Sequence, residues 1–353
     1  MKNKKGGNQL LQSINCNDIS TINMTCMTFN MGSKKLGDIT MSMNALLSKW
    51  NSELNTLPDI IVVSLQESKS TEILEFFSKS GYTLLNTDKI EQGALGIGLG
   101  YIYLCVFVKY CIFNYKNQIS IKLTERIINY KCELAKGSVG RILVIDNLVN
   151  QNRYIFTLLS SHLPSDPSKI IDRNRCMLNS IYVDGDFNYP RSTFPNENLI
   201  FMGDLNYRTD DDNTNFKEKD KEFASTISNL TCNTSNLEFN KSCLIKKYSN
   251  KPVGCFEQDQ LSKELNNLRM SESDITFCPT CRLIENTDNS SIRNYHGKRV
   301  PSWCDRILTN EGFNKNVKKG VYSAFNITNL SDHLTVYQHF QINLNISPYN
   351  NNF

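Results

Sequence analysis

Short apolar runs separated by polar turns recur along most of the chain. The segment 59–65, DIIVVSL, is apolar almost throughout, as expected of a strand that is covered on both faces. Comparable runs predict strands at 24–29, 82–90, 99–109, 119–124, 139–146, 153–159, 199–201 and 334–342. Apolar positions at helical spacing predict helices at 41–54, 71–79, 168–182 and 256–268. The glycines between 93 and 100 predict turns, because no βαβ unit follows them.

Polar residues of catalytic types follow several of these predicted strands. In the segment 201–208, FMGDLNYR, Gly203 ends the apolar run and is followed by Asp204 and Asn206. Side chains two positions apart on an extended backbone point the same way, so this carboxylate and this amide are expected to face one site. Other predicted strands end in the same manner, at Asn30, Glu67, His162, Asp305, and Asp332 with His333.

Each of these positions, taken singly, also has a structural explanation. Aspartate and asparagine are favoured in turns for backbone reasons, so Asp204 and Asn206 alone do not establish a site. A glutamate at the start of a loop, such as Glu67, can simply be solvated, and a lone histidine such as His162 is more often structural than catalytic. The repetition of the pattern along the chain is what favours a functional site.

The composition of the chain limits which cellular compartments and which classes of partner we expect. Lys and Arg total 39 against 35 Asp and Glu, and the net charge of +4 is too small to indicate binding to nucleic acid or membrane by itself. No apolar run has the length of a membrane span, and the basic segment 1–12 lacks the apolar core of a signal peptide. We therefore expect a cytoplasmic protein whose twelve cysteines are reduced thiols. Cys278 and Cys281 form a CxxC pair, but a zinc site would need a second pair.

The candidate residues suit metal-assisted hydrolysis of a phosphate ester. Carboxylates supply the hard oxygen ligands that Mg²⁺ prefers, so Mg²⁺ is the expected cofactor. Amide and imidazole groups can contact phosphoryl oxygens, and the attacking water needs a group that orients it or takes its proton.

The chain resembles the catalytic domain of inositol polyphosphate 5-phosphatases, within the endonuclease/exonuclease/phosphatase superfamily. The resemblance extends from Met24 to the C-terminus, and the pairing of FMGDLNYR with PSWCDRIL is its most specific part. The matching motifs are TFNMG at 28–32, DIIVVSLQES at 59–68, KGSVGRI at 136–142, SSHLPS at 160–165, FMGDLNYR at 201–208, PSWCDRIL at 301–308 and SDHLTV at 331–336.

This resemblance implies an α/β fold, a two-sheet sandwich flanked by helices that is known as the DNase I-like fold. The catalytic domain is expected at 21–348, after a flexible segment at 1–20. The implied activity is Mg²⁺-dependent removal of the 5-phosphate from phosphoinositides, such as phosphatidylinositol 4,5-bisphosphate and 3,4,5-trisphosphate, or from soluble inositol polyphosphates. The implied protein is a monomer without a nucleic-acid partner, with peripheral contact to the cytosolic face of membranes.

The resemblance also implies roles for the metal and the attacking water. Glu67 is expected to bind the metal, with Asn30 close by. Asp204 is expected to orient or deprotonate the water, and Asn206 to hold the water or a phosphoryl oxygen.

The remaining catalytic roles fall on the histidines and their acidic neighbours. His162 is expected to contact the phosphate, and His333 to pair with Asp305, as a carboxylate fixes the tautomer of an imidazole. Asp332 is expected to support either the metal or His333.

Substrate phosphates are expected to bind the cationic side chains near these groups, with Tyr207 beside them. Arginine suits this role because it binds phosphate in a bidentate manner. The expected substrate-binding residues are Lys136, Tyr207, Arg282, Lys298 and Arg299.

The chain departs from the family pattern at four positions, all relevant to substrate preference. Ala135 stands where the family commonly has Asn before Lys-Gly, and Gly297 stands where some members have a basic residue. Cys281 and Arg282 occupy the positions of a tyrosine and a lysine that help to recognise the 4-phosphate in family members. Arg282 keeps the positive charge, whereas Cys281 removes the phenol.

Two other functions remain open at this point. A nuclease of the same superfamily would share most of the catalytic residues, but PSWCDRIL and the small net charge argue against it. A phosphoinositide-binding protein without activity is the second alternative, although no catalytic position is substituted.

Overall fold

The structure of the chain is a computed structural model that describes residues 20–92, 100–166, 168–182, 198–208, 229–239, 261, 265, 270–285, 290–297, 301–310 and 317–346. The predicted flexible segment, apart from its last residue, lies outside the described residues, as do most of the predicted helix at 256–268 and of the glycine-rich turns.

Three helices and fifteen strands make up the described secondary structure that we label. The helices are α1 (Thr40–Leu54), α2 (Glu72–Lys79) and α3 (Ile170–Tyr182). The strands in the first half of the chain are β1 (Thr21–Asn30), β2 (Ile60–Ser68), β3 (Tyr82–Gln92), β4 (Gly100–Lys109), β5 (Ile119–Glu133), β6 (Lys136–Asn147) and β7 (Arg153–His162). Those in the second half are β8 (Asn198–Asp204), β9 (Thr231–Asn233), β10 (Glu238–Phe239), β11 (Met270–Ser271), β12 (Ile292–Asn294), β13 (Asp305–Asn310), β14 (Val317–Phe325) and β15 (Thr335–Asn343).

Two six-stranded sheets form the framework. The first has the strand order β14-β15-β1-β2-β4-β3, and the second has the order β11-β13-β8-β7-β6-β5. In each sheet the described pairings include one parallel pair, β1 with β2 and β7 with β8, among antiparallel neighbours. These parallel pairs lie inside the sheets, so their carboxyl ends are held on both sides by hydrogen-bonded strands.

The central strands are buried on both faces, which explains their continuous apolar runs. In β2, Ile60 and Val62 point between the two sheets, where they join a core that includes Leu158 and Ile200 of the second sheet. The alternate residues of β2 point to the opposite face. A strand that packs on both sides cannot show polar and apolar alternation, as its sequence indicated.

Helices cover the outer faces of the two sheets. Trp50 of α1 is fully buried and stacks on Phe77 of α2, with ring centroids 6.1 Å apart, over the outer face of the first sheet. Met177 of α3 packs on the outer face of the second sheet. This architecture confirms the two-sheet α/β sandwich flanked by helices. No described helix is both long and apolar enough to cross a membrane.

Two cysteine pairs correct the expectation of reduced thiols. Disulfides join Cys132 of β5 to Cys176 of α3, and Cys232 of β9 to Cys278. Each pair is more than 40 residues apart in sequence, so only the folded chain brings the partners together. The disulfide of Cys278 also means that the CxxC pair with Cys281 does not act as a unit.

Gly203 occupies a position in β8 that tolerates no side chain, and this gives a test of the fold. It pairs with Ser161 of β7, its φ is +149°, and an added Cβ would lie 1.9 Å from the Ser161 carbonyl oxygen. We expect Gly203→Ala to lower the free energy of unfolding by about 2–4 kcal/mol, from strain and overpacking together.

Gly37→Ala is the matched control for this substitution. Gly37 also has a positive φ, of +68°, but nothing lies within 4 Å of an added Cβ. Its cost should be only about 1 kcal/mol, from the left-handed backbone alone. Urea unfolding of the three proteins measures the difference, and equal costs for the two variants would contradict the close approach of β7 and β8.

Candidate active site

The carboxyl ends of the two parallel strand pairs meet at one cleft. Asn30 ends β1, Glu67 lies near the end of β2, His162 ends β7 and Asp204 ends β8. Within the second sheet, His162 and Asp204 are directly paired across the parallel strands. The cleft has a volume of about 420 Å³ and is lined mainly by polar side chains. The two sheets therefore contribute equally to the site.

Asp204 lies at the centre of this arrangement, and its side chain is only 3% exposed. Its Oδ2 accepts a hydrogen bond from Asn30 Nδ2 at 2.8 Å. The same oxygen lies 3.3 Å from His162 Nε2 and 4.0 Å from His333 Nε2. Burial alone would raise the pKa of Asp204, but the hydrogen bond from His162 and the charges of His333 and Lys136 hold it far below its ordinary value. The carboxylate is therefore ionised at neutral pH.

Two residues at strand ends adopt a left-handed backbone. The φ angles are 49° at Glu67 and 53° at Asn206, a region that non-glycine residues seldom occupy. The Glu67 amide donates to Gln92 Oε1 at 2.8 Å, and the Asn206 amide donates to Asp204 Oδ1 at 3.2 Å. Such strain persists where surrounding contacts fix it, and it is common at functional sites.

His162 is held as a neutral imidazole by Gln92. The Gln92 side chain accepts from the Glu67 amide and donates to the Ala135 carbonyl, which fixes its orientation. Its Nε2 therefore donates to His162 Nδ1 at 2.6 Å and assigns the ring proton to Nε2, on the side of Asp204. Burial lowers the pKa of His162, and the charge of Lys136, whose Nζ contacts the ring, lowers it further against the effect of the nearby acids.

His333 is held in the protonated form by Asp305. Its Nδ1 donates to Asp305 Oδ2 at 2.7 Å, and the same carboxylate oxygen accepts from Thr280 Oγ1 at 2.7 Å. Burial would lower the pKa of His333, but the charges of Asp305 and Cys281, and the hydrogen bonds to both, raise it well above its ordinary value. Burial raises the pKa of Asp305 to about 7, against the effect of the adjacent imidazolium. The pair therefore stores a proton on His333 at neutral pH.

Asn206 and Arg208 are hydrogen-bonded to each other in the wall of the cleft. Arg208 Nη2 donates to Asn206 Oδ1 at 2.8 Å, and Asn206 Nδ2 donates to the Leu163 carbonyl at 3.1 Å. Both ends of the amide are thus bound to protein atoms, although Nδ2 retains a second hydrogen. Arg208 was not singled out from the sequence, where it is simply the last residue of FMGDLNYR.

Two ion pairs lie among the residues that line the cleft. Arg282 Nε donates to Asp332 Oδ2 at 2.8 Å, and the arginine side chain is 44% exposed. Lys34 Nζ lies 2.9 Å from Glu285 Oε2, and both side chains are largely exposed. Positive side chains are therefore presented at the opening, each beside a carboxylate that an incoming phosphate would have to displace or share.

The donors in the cleft fit a divalent cation such as Mg²⁺. The Glu67 carboxylate faces the cleft, is 24% exposed and lies 3.9 Å from His162 Nε2. Glu67 and Asn30 offer carboxylate and amide oxygens, which are the donors that hard cations prefer. Asp204, Asp305 and His333 also bring ligand atoms within 4.8 Å of one another, although His333 Nδ1 already donates to Asp305. Glu67 with Asn30 therefore remains the predicted metal site.

The structure brings together most of the residues that the sequence singled out. Those at or beside the cleft are Asn30, Glu67, Lys136, His162, Asp204, Asn206, Arg282, Asp305, Asp332 and His333. Lys298 and Arg299 lie outside the described residues. Gln92 was missed, because nothing in its local sequence links it to a histidine 70 positions later.

Tyr207 is a correction, since the structure places it in the core. It is fully buried, and its hydroxyl donates to Asn174 Oδ1 of α3 at 2.6 Å. The alternation after β8 explains this: Asp204 and Asn206 turn towards the cleft, whereas Leu205 and Tyr207 pack in the cluster beneath α3. Tyr207 supports the site from behind and does not line it.

Comparison with known proteins gives a consistent result. The sequence profile of Endonuclease/Exonuclease/phosphatase family 2 matches residues 27–339. The type IV inositol polyphosphate 5-phosphatase 11 of Arabidopsis thaliana is 24% identical over 291 residues, which cover 79% of this chain and 72% of that protein. The nitrophorin Cim l NP of Cimex lectularius is 22% identical over 269 residues, which cover 76% of this chain and 71% of that protein.

A solved structure agrees at the level of the fold. The crystal structure of the Cimex nitrophorin ferrous NO complex superposes with a TM-score of 0.57 at 18% identity, covering 92% of this chain and 99% of that one. Relatives with such different names show that the fold does not fix the reaction, which has to be argued from the site.

The different protonation states of the two histidines can be tested by an NMR pH titration of their ring protons. The chain has four histidines, so substitution can assign the signals. We expect His333 to titrate above the ordinary histidine pKa and His162 below it. Asp305→Asn removes the negative charge that holds the proton, so it should lower the pKa of His333 by roughly one unit or more. Similar midpoints for both rings in the unmodified protein would contradict this assignment.

Proposed function

The chain belongs to the endonuclease/exonuclease/phosphatase family, and from that premise we propose that it is an Mg²⁺-dependent phosphatase that removes the 5-phosphate of phosphoinositides or soluble inositol polyphosphates. The observation that carries the proposal is the buried Asp204 carboxylate between two histidines, with Glu67 across the cleft. The matches to inositol polyphosphate 5-phosphatases support the choice of substrate class.

Asp204 orients the attacking water in the proposed reaction. Its low pKa keeps it ionised, so that it accepts hydrogen bonds from the water, but also makes it a weak base, since general-base catalysis is most effective when the pKa is near the working pH. The carboxylate therefore aligns the water towards phosphorus. Asn206 supports this geometry by donating its backbone N–H to Asp204.

The two histidines act on the phosphoryl group in different ways. His333 is an imidazolium, so it stabilises the negative charge that the phosphoryl oxygens carry in the transition state. His162 is neutral, so it donates one hydrogen bond from Nε2 without adding a full charge. Lys136 Nζ from β6 contacts the same Nε2, and burial lowers the pKa of this lysine below its ordinary value.

A divalent cation, when bound, neutralises phosphate charge and polarises the phosphoryl oxygen. In this chain Glu67 and Asn30 would hold it. Ser33 Oγ donates to Glu67 Oε2 at 3.3 Å, and the Gly32 amide donates to Asn30 Oδ1 at 2.9 Å. These contacts orient both side chains, as outer contacts orient ligands at metal sites.

The location of the protein is a separate proposal. We keep the monomeric state, the cytoplasmic location and the peripheral membrane contact as predictions. The disulfides between Cys132 and Cys176 and between Cys232 and Cys278 weigh against a reducing compartment, because such bonds persist mainly in oxidising ones. Peptide mapping without reduction, on protein purified from its own cell, would show whether these disulfides are present and so decide between a reducing and an oxidising compartment.

Metal dependence tests the chemistry of the site. Phosphate release should stop in chelator and return with Mg²⁺, and Glu67→Gln should reduce kcat/KM by roughly a hundredfold because it weakens the metal ligand. Glu91→Gln is the matched control, since Glu91 is an exposed carboxylate on β3 outside the cleft lining. Full turnover in excess chelator would contradict the mechanism.

Substrate preference tests the second half of the proposal. We expect release of the 5-phosphate from the 4,5-bisphosphate headgroup, and Arg282→Ala should reduce kcat/KM on that substrate by roughly tenfold, because it removes a charge-assisted contact. A substrate without the 4-phosphate should be affected less. Lys116→Ala, which removes an equal charge from an exposed position elsewhere, should change neither rate.

The same assay separates the alternatives. Cleavage of DNA without release of inositol phosphate would replace the phosphatase by a nuclease of the family. Headgroup binding without turnover of either substrate would indicate a binding protein. Release of a phosphate other than the 5-phosphate would overturn the proposed regiochemistry.

A further inference from the structure

Cys281 and Cys304 form a thiol pair at the inner wall of the cleft that the proposed reaction does not use. Four cysteines are free in the described part of the chain, and these are the two that lie at the site. The thiol of Cys281 hydrogen-bonds the thiol of Cys304. We propose that this pair is a site of reversible oxidation by hydroperoxides, in which Cys281 reacts first and Cys304 closes a disulfide.

The local backbone explains why the two thiols meet. Cys281 and Ser302 form an antiparallel bridge, with Cys281 N donating to the Ser302 carbonyl at 3.1 Å and Ser302 N donating to the Cys281 carbonyl at 2.7 Å. Cys304 follows two positions later, immediately before β13. These backbone hydrogen bonds hold the segment of Cys281 beside the segment that leads to Cys304.

The order of reaction follows from access and from neighbouring charge. Cys281 lines the cleft with 3% of its surface exposed, whereas Cys304 is fully buried behind it. Arg208 Nη1 donates to Cys281 Sγ at 3.7 Å, and a second bridge pairs Cys281 with His333. Cationic neighbours favour the thiolate, which is the reactive form of cysteine. A small oxidant that enters the cleft therefore reaches an activated sulfur at Cys281 before it can reach Cys304.

The chemical steps are balanced with the hydroperoxide as oxidant. The Cys281 sulfur attacks one peroxide oxygen, the O–O bond breaks, and the products are a sulfenic acid on Cys281 and water or an alcohol. The Cys304 sulfur then attacks the Cys281 sulfur, the S–O bond breaks, and a second water leaves as the S–S bond forms. One peroxide thus takes two electrons and two protons from the thiol pair.

Oxidation is expected to lower activity because Cys281 contacts the catalytic groups. Its sulfur accepts from Arg208, which in turn donates to Asn206 Oδ1 at 2.8 Å. In the disulfide the Cys281 sulfur is bonded to Cys304 and no longer offers a thiolate to Arg208 or to His333. This consequence for activity rests on the proposed function, whereas formation of the disulfide does not.

Peptide mapping of the whole protein tests the modification directly. The protein is treated with hydrogen peroxide, free thiols are blocked with iodoacetamide, and the chain is digested without reduction. We expect linked peptides that contain Cys281 and Cys304, with the loss of two hydrogens. Cys26 and Cys105 are fully buried in the first sheet, so they should react with iodoacetamide only after the chain has been unfolded. Recovery of Cys281 and Cys304 as separate blocked thiols after this treatment would overturn the proposal.

Variants link the modification to activity. Peroxide should reduce phosphate release by roughly tenfold, as expected when a contact to a charged group is lost, and dithiothreitol should restore it. Cys304→Ser should retain a trappable sulfenic acid on Cys281 and form no linked peptide. Cys105→Ser should behave as the unmodified protein. Each rate is compared with that of the same variant before treatment.

The two proposals fail in different ways. If no inositol phosphate is hydrolysed but the linked peptide forms, the modification site stands and the proposed function fails. If hydrolysis is normal and the Cys281→Ser variant loses activity in peroxide to the same extent as the unmodified protein, oxidation acts elsewhere and the redox proposal fails.

Discussion

Burial of the Asp204 carboxylate is the constraint on which the rest of the site depends. An ionised carboxylate without partners would be strongly destabilising in this position, because burial removes its hydration. Asn30 supplies a hydrogen bond from the first sheet, and His162 and His333 supply compensating groups from β7 and from the segment just before β15. Removal of any one partner leaves part of a buried charge uncompensated, so the groups that stabilise the fold locally are the same groups that perform the proposed chemistry.

The two-sheet architecture makes this convergence possible. Parallel strands carry their carboxyl ends to the same edge, and each sheet has one such pair inside it, β1 with β2 and β7 with β8. When the sheets pack face to face, the two edges meet and four strand ends point into one cleft. The continuous apolar runs of these strands are therefore buried in the sandwich, whereas the polar residues at their carboxyl ends line the cleft.

The sequence predicted the central strands well because burial on both faces leaves a strong apolar signal. It failed at two edge strands with mixed and partly exposed residues, since β5 extends to Glu133 and β14 was not predicted, and it also missed the short buried strand β13. The helix at 168–182 was predicted correctly, whereas the disulfide of Cys176 within it was not. Helical spacing is a local property, but the partner of a cysteine depends on the complete fold.

The residues of the site were predictable where a local pattern marks them, and were missed or misassigned where only the complete fold decides their position. Residues that end apolar strands stood out, and the structure gathers them. Tyr207 was assigned to the site because it adjoins the motif, yet the alternation that turns Asn206 outward turns Tyr207 inward. Gln92 could not be found at all, because its role is to orient His162 from another sheet. Contacts between distant segments leave no pattern in a single sequence.

The different protonation states of the two histidines follow from such contacts between distant segments. Both imidazoles lie near the same Asp204 oxygen, so Asp204 does not distinguish them. The distinction comes from the far side of each ring, where a neutral amide faces His162 and a carboxylate faces His333. The two rings therefore differ through residues that are far from them in the sequence. In the proposed reaction this difference gives His333 the role of stabilising charge on the phosphoryl group, while Asp204 holds the water.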